Sequence, residues 1–358
     1  MKLVLLLIGI CLFVIGCSVS ERKPQLSAKD FLLSNFNEIA ISTDLEPDDV
    51  LALAILFEEA NRQYIQFPKG KYPIDLIVIG EGNTKAKRLQ MEQLLQEHFD
   101  LPNGIGIRII ESKEESAVLT NWASQAKAPF IIQLKPAQEL LFFNVEAAKK
   151  TTVLFYGGYN IRQTVLDPEV QGDPQFEFIQ SPSFQEQLEG LIAHLSNRFS
   201  KIAILETFGT LRDQPCVCSE CTWTQKISKI IANPNDKFIE MFRSFSSNWN
   251  SYILEEFLKS RPDEIAYRDL RRRILNSDVQ FTLADVLVAI ATTDETNLFL
   301  ATPIKATYDK NGFLLPVDAP NSNLVYYKAV DRLKVAAKIE QFLERKNKKG
   351  REYFKIAS

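Results

Sequence analysis

The sequence of 358 residues contains only two histidines, His98 and His194, and five cysteines. Neither histidine lies near the cysteine cluster of residues 216–221, and a structural zinc site needs four nitrogen or sulfur ligands. The sequence therefore argues against zinc. We interpret His98 as a residue at the end of a polar helix and His194 as a structural neighbour of a sheet.

An excess of basic residues is also absent. The chain has 42 Lys and Arg residues against 45 Asp and Glu residues, which gives a net charge of −3 and a pI of about 5.7. Proteins that bind nucleic acid usually carry a basic surface, so we expect no nucleic-acid partner. Hydrophobic residues make up 46% of the chain, which is enough for one large core.

The apolar stretch at the N-terminus, residues 3–15, is too short to span a bilayer comfortably, because a spanning helix needs roughly 20 residues. Lys2 precedes this stretch and Gly16-Cys17 ends it, which is typical of a lipoprotein signal peptide. We predict a signal peptide over residues 1–16, a lipid on Cys17 and a tether over residues 17–34. The protein would then be lipid-anchored to a membrane of the bacterial cell envelope, on the periplasmic or outer face. An uncleaved anchor and an ordinary signal peptide are the alternatives.

The rest of the chain alternates short apolar strands with helices, and this pattern predicts an α/β fold. A mostly parallel central sheet flanked by helices follows from the alternation. We predict one domain over residues 35–345 and a C-terminal tail over residues 346–358. The predicted strands cover residues 39–41, 76–79, 107–110, 130–132, 153–156, 202–205, 298–301 and 312–317.

The most informative segment is Ser42-Thr43-Asp44-Leu45-Glu46-Pro47-Asp48-Asp49, which follows the first strand. Ligands gather at the carboxyl ends of strands in an open α/β sheet. Crowded carboxylates raise one another's pKa unless a cation neutralises them, and ligands that are all oxygen favour Ca²⁺ or Mg²⁺. The segment therefore predicts a metal site. The alternative is that Asp48 and Asp49 only cap the following helix and complement its dipole.

The pattern Thr-Asp-x-x-x-Asp-Asp resembles the signature of the inosine–uridine nucleoside hydrolases. Three further segments resemble parts of that family in the same order: Gly82-Asn83-Thr84, residues 155–161 and residues 283–290. The resemblance implies a nucleoside-hydrolase-like single domain. It also implies a calcium-dependent enzyme that hydrolyses the N-glycosidic bond of a ribonucleoside to give base and ribose.

The resemblance also implies roles for particular residues. Asp44, Asp49 and Asp285, with the backbone carbonyl of Tyr156, would bind Ca²⁺. Asp44 would in addition be the catalytic base that accepts a proton from the attacking water.

The same resemblance implies that three further residues bind the substrate. Asp48 and Asn83 would hold the ribose hydroxyls, and Glu177 would contact the sugar. The preferred base is left open, as is the formation of a homo-oligomer.

Two residues depart from the family's pattern. Ser42 stands where the family usually has Asp, and Ala284 replaces the histidine that helps the base to leave. The first is tolerated in a related branch that has Pro before the Asp pair, as at Pro47, and only the second favours another function. The loss of that acid favours a second hypothesis, a non-catalytic calcium-dependent lipoprotein that binds a ribosyl or other polyol ligand. A third hypothesis is a magnesium-dependent phosphohydrolase with Asp44 as nucleophile, although the second Asp that such enzymes place two residues later is missing.

Three cysteines remain in the predicted mature chain besides Cys17: Cys216, Cys218 and Cys221. In an oxidising compartment they predict one disulfide and one spare thiol, and the pairing is left open.

Overall fold

The computed structural model describes residues 28–66, 71–80, 105–110, 112–135, 137–156, 192, 195–205, 216–217, 224–252, 254, 275, 281–293, 296–308, 314–329 and 331–356. Within these ranges no helix has both the length and the apolar character needed to cross a membrane. Several sequence predictions lie outside the described residues. They concern Cys17, Asn83, His98, Glu177, His194, Cys218 and Cys221.

Among the described residues, nine strands form one sheet in the order β10-β9-β11-β6-β5-β4-β1-β2-β3, and β7 pairs with β8 separately. All neighbours from β11 to β3 run parallel, whereas β9 is antiparallel to both β10 and β11. This mostly parallel sheet confirms the predicted fold class. The strands are β1 Ile39–Thr43, β2 Ile74–Gly80, β3 Gly106–Ile110, β4 Phe130–Leu134, β5 Thr152–Tyr156, β6 Lys201–Leu205, β7 Cys216–Val217, β8 Phe281–Thr282, β9 Phe299–Tyr308, β10 Leu314–Asp318 and β11 Leu324–Ala329.

Helices cover both faces of the sheet and create two hydrophobic cores. The α-helices are α1 Pro47–Gln66, α2 Ser112–Gln125, α3 Val145–Ala148, α4 Gln225–Ala232, α5 Lys237–Tyr252, α6 Ala284–Thr293 and α7 Arg332–Ile356. The larger core contains α1 and α6, and the smaller core contains α2 and α3. Pro47 opens α1 at the position where proline's missing N–H costs nothing, and residues 50–57 are all buried.

Strand β11 was not predicted, yet it lies inside the sheet between β6 and β9. Val325 and Tyr327 face the larger core and are fully buried. Asn323, which precedes the strand, donates from Nδ2 to the carbonyl oxygens of Ser196 and Phe199 at 2.7 and 2.8 Å. These bonds join the start of β11 to the segment that enters β6. The apolar and aromatic residues of β11 are themselves typical of a strand. Its place beside β6, about 120 residues earlier in the chain, is what a local pattern does not reveal.

Secondary structure continues beyond both ends of the predicted domain of residues 35–345. Residues 28–35 form two 3-10 turns, in which Phe31 and Leu33 are fully buried. The Phe31 ring meets the Tyr327 ring edge-on, with centroids 5.4 Å apart. Phe31 and Leu33 therefore pack in the larger core. At the other end, α7 continues to Ile356. The division of the chain into tether, domain and tail stays a prediction.

The substitution Phe31→Ala tests this N-terminal extension. It should lower the free energy of unfolding by about 3–5 kcal/mol, because it leaves a cavity in the core. Chemical denaturation followed by circular dichroism measures the change. Phe142→Ala is the control, because that ring is 80% exposed and its loss should cost within about 0.5 kcal/mol. Equal effects of the two substitutions would show that the N-terminal turn is not part of the core.

Candidate functional site

The turn between β1 and α1 is held by hydrogen bonds in which the side chains of Thr43 and Asp49 bond to each other and accept from backbone N–H groups. Thr43 donates its hydroxyl to Asp49 Oδ1 and accepts from the backbone N–H of Leu45 at 3.0 Å. Asp49 Oδ2 accepts from the backbone N–H of Glu46, also at 3.0 Å. Because these bonds close the turn on itself, the buried carboxylate of Asp49 is fixed relative to the end of β1.

Leu45, at the centre of this turn, has a left-handed backbone with φ of 56°. That conformation costs an L-residue other than glycine roughly 1–2 kcal/mol. The Leu45 side chain is buried in the larger core, so its burial offsets the cost. Strained backbone of this kind is often found at functional sites, and here it lies next to Asp44.

A second helix brings another carboxylate to the same place. Strand β8 leads directly into α6, whose first turn contains Asp285. The backbone N–H of Asp285 points to Asp48 Oδ2 at 3.5 Å. The first turns of α1 and α6 therefore meet, although they are far apart in the sequence.

Carboxylate oxygens of Asp48, Asp49 and Asp285 lie within 4.8 Å of one another, and all three residues are buried. We call these three residues the acidic cluster. Burial, followed by the charges of Asp44 and Asp48, raises the pKa of Asp49 well above its ordinary value. Burial also raises the pKa of Asp285, with further contributions from the charges of Asp49, Asp48 and Asp44.

These carboxylates fit a divalent metal ion. Hard cations such as Ca²⁺ and Mg²⁺ take oxygen ligands, and their charge would remove the repulsion that raises both pKa values. Capping of α1 accounts for the bond from Glu46 to Asp49. It does not account for Asp285, which comes from another helix to the same point. The acidic cluster could therefore hold a metal.

Four of the seven residues predicted for substrate or metal come together: Asp44, Asp48, Asp49 and Asp285. The cluster contains Asp48, for which the sequence predicted sugar binding, while Asp44 is half-buried and acts on the others through its charge. The individual roles stay predictions.

Tyr156 ends β5, which is two strands away from β1 with β4 between them. Because neighbouring strands lie about 4.8 Å apart, the two strand ends are separated by roughly 10 Å. The role of its carbonyl as a metal ligand stays a prediction. Asn83 and Glu177 lie outside the described residues.

One group near the site was missed by the sequence analysis. Lys135 Nζ forms an ion pair with Glu115 Oε2 at 2.6 Å, and Ser42 donates its hydroxyl to Glu115 Oε1. Glu115 and Lys135 stand in different elements, and neither lies in a motif. No sequence signal could have paired them.

Comparisons with known proteins support the fold. No family model and no curated protein sequence matches the chain. Among solved structures, a plant nucleoside hydrolase aligns with a TM-score of 0.53 and 14% identity, over 86% of this chain and 98% of the other. An inosine–guanosine nucleoside hydrolase aligns with a TM-score of 0.50 and 10% identity, over the same shares of the two chains. The protein has the nucleoside hydrolase fold, as its sequence predicted.

Replacing Asp285 with Asn tests the electrostatic description of the acidic cluster. The raised pKa shows that the fold disfavours the ionised carboxyl. With divalent ions removed at neutral pH, Asp285→Asn should therefore raise the unfolding temperature by about 1–2 °C for each kcal/mol of repulsion relieved. Added calcium should stabilise the variant less than it stabilises the wild type.

Thermal unfolding in EDTA and in calcium chloride measures both effects. Asp318→Asn is the matched control, because Asp318 is an exposed aspartate at the end of β10. If calcium stabilises Asp285→Asn as strongly as the wild type, Asp285 is not part of a metal site.

Proposed function

We propose that the protein is a calcium-dependent nucleoside hydrolase, which cleaves the N-glycosidic bond of a ribonucleoside with water. The observation that carries this proposal is the meeting of Asp48, Asp49 and Asp285 at the carboxyl end of β1. This meeting occurs in a fold that two solved nucleoside hydrolases share. The carboxyl edge of an open α/β sheet is also where such folds bind ligands.

In this proposal Asp44, Asp49 and Asp285 hold the Ca²⁺, together with the backbone carbonyl of Tyr156. A bound Ca²⁺ would make a water molecule more acidic and help to hold the sugar hydroxyls. Asp44 is half-buried beside the acidic cluster, so its carboxylate can accept a proton from a water molecule that approaches the sugar.

The remaining predicted residues would bind the ribose. Asp48, Asn83 and Glu177 are the proposed partners of the sugar hydroxyls. Cleavage of a glycosidic bond passes through a sugar with oxocarbenium character. A group of fixed carboxylates stabilises the positive charge that develops there.

Asp48 can be assigned by comparing binding with kinetics. If Asp48 holds the sugar, Asp48→Asn raises KM and leaves calcium affinity near the wild-type value. If Asp48 is instead a metal ligand, the same substitution lowers calcium affinity strongly. The comparison is needed because Asp48 lies in the acidic cluster, where it could also bind the metal.

Ala284 supports a second candidate function. This residue opens α6 directly before Asp285 and is buried. Because its side chain is a methyl group, it offers no proton to a departing base. A chain that kept the acidic cluster and lost the acid would bind a ribosyl or polyol ligand with calcium but hydrolyse it poorly or not at all.

The cellular setting is proposed from the sequence alone. A lipid on Cys17 would tether the enzyme to a membrane of the cell envelope, where nucleosides from outside are first met. Salvage of these nucleosides would be its role.

The decisive assay incubates the purified chain with inosine, uridine or adenosine, in calcium or in EDTA, and follows the free base by chromatography. We expect the release of base to require calcium. Asp44→Asn should lower the rate by roughly 10²-fold or more, because it removes the proton acceptor. Asp318→Asn should keep the wild-type rate.

Two results would contradict the proposal. A chain that binds calcium and releases no base from any of the three nucleosides supports the binding protein instead. Release of phosphate from phosphorylated substrates in magnesium supports a phosphohydrolase.

A further inference from the structure

A buried ion pair lies on the face of the sheet opposite the acidic cluster. Side chains alternate along β1, so Thr43 faces α1 and bonds to Asp49, whereas Ser42 faces α2 and bonds to Glu115. The side chains of Lys135 and Glu115 are 4% and 0% exposed. The proposed reaction uses neither Glu115 nor Lys135.

The ion pair contacts the ends of three neighbouring strands. Ser42 belongs to β1, Gly80 ends β2, and Lys135 directly follows β4. A Cβ atom at Gly80 would collide with Glu115 Oε2 and lie only 2.9 Å from Lys135 Nζ. The pair therefore packs directly on the backbone of β2, and a side chain at this position would displace the two charged groups.

The same strands lead into the candidate site. The β1–β4 ladder ends with Thr43 paired to Leu134, so Asp44 and Lys135 are the next residues on neighbouring parallel strands. Adjacent strands lie about 4.8 Å apart. The ion pair is thus attached to the chain immediately before the turn between β1 and α1, which contains Asp44.

Stability alone does not explain a buried ion pair. Removing two charges from water is costly, and replacing such a pair by apolar residues of similar volume is often neutral or stabilising. An ion pair with hydrogen bonds is directional. It therefore fixes the position of the surrounding backbone better than apolar residues do.

We propose that the Glu115–Lys135 ion pair is a positioning device, which fixes the carboxyl ends of β1, β2 and β4 and thereby places Asp44 and Asp49 against Asp285. Its consequence for catalysis rests on the proposed function. Its consequence for calcium binding can be measured without any substrate.

The test compares variants of the ion pair with the wild type by thermal unfolding, calorimetric titration with calcium, and nucleoside kinetics. Lys135→Met should unfold at a much lower temperature, because it leaves Glu115 buried without its cation. The double variant Glu115→Leu/Lys135→Met removes both charges, so the net charge is unchanged and thermal stability should return. Its calcium affinity and kcat should nevertheless stay at least tenfold below the wild-type values, since small displacements of catalytic groups are costly.

The exposed pair Lys149–Glu146 is the matched control, because its ion-pair distance is 2.7 Å and its side chains are 60% and 79% exposed. The double variant Glu146→Leu/Lys149→Met removes the same charges and should leave calcium affinity and kcat unchanged. A stable Glu115→Leu/Lys135→Met variant with wild-type calcium affinity and wild-type kcat would overturn the proposal.

A second variant keeps the proposal testable if the double variant does not fold. Ser42→Ala removes only the hydroxyl that joins β1 to Glu115, and it should lower calcium affinity several-fold without unfolding the chain. Unchanged affinity would overturn the proposal.

The two proposals fail in different ways. A wild-type chain that binds calcium but releases no base contradicts the proposed enzyme, and the calcium titrations of the variants still decide the role of the ion pair. A wild-type chain that releases base, with a double variant that behaves identically, contradicts only the positioning role.

Discussion

The site depends on the repulsion between buried carboxylates where two helices begin. The first turns of α1 and α6 bring Asp48, Asp49 and Asp285 together in the protein interior, and burial with mutual charge raises the pKa of Asp49 and Asp285. The partial positive charge at a helix N-terminus is worth about 0.3–1 kcal/mol to an adjacent carboxylate, and up to about 2 kcal/mol where the site is partly buried. That contribution is too small to keep the pKa values at their ordinary level. A divalent cation is the group that fits the remaining charge.

The rest of the fold holds the carboxylates in this unfavourable arrangement. On one face of the sheet, the buried Leu45 side chain and the Thr43 hydroxyl keep the turn closed despite its left-handed residue. On the other face, the Glu115–Lys135 ion pair packs against the strand that feeds the turn. The two hydrophobic cores pack against both faces of the sheet. Their packing stabilises the fold and offsets the repulsion between the buried carboxylates.

The sequence predicted most of what is local and missed what is distant. The strand, the acidic turn and the buried helix of residues 39–57 are contiguous in the sequence. The end of the strand, the start of the helix and its apolar residues could therefore all be predicted from this one segment. Asp285 was placed only through the family resemblance. The apolar and aromatic run of β11 is a local strand signal that the sequence analysis missed, whereas its place beside β6 depends on a distant segment. The pairing of Glu115 with Lys135 joins two elements and leaves no mark on the local sequence.

Crystallography of the protein grown with calcium tests the central claim most directly, through an anomalous difference map calculated at a long wavelength. The account predicts a single strong peak at the acidic cluster, with oxygens of Asp49 and Asp285 at about 2.3–2.6 Å from it. An ordered structure at saturating calcium without a peak there, or with Asp285 turned away from Asp49, would contradict the account.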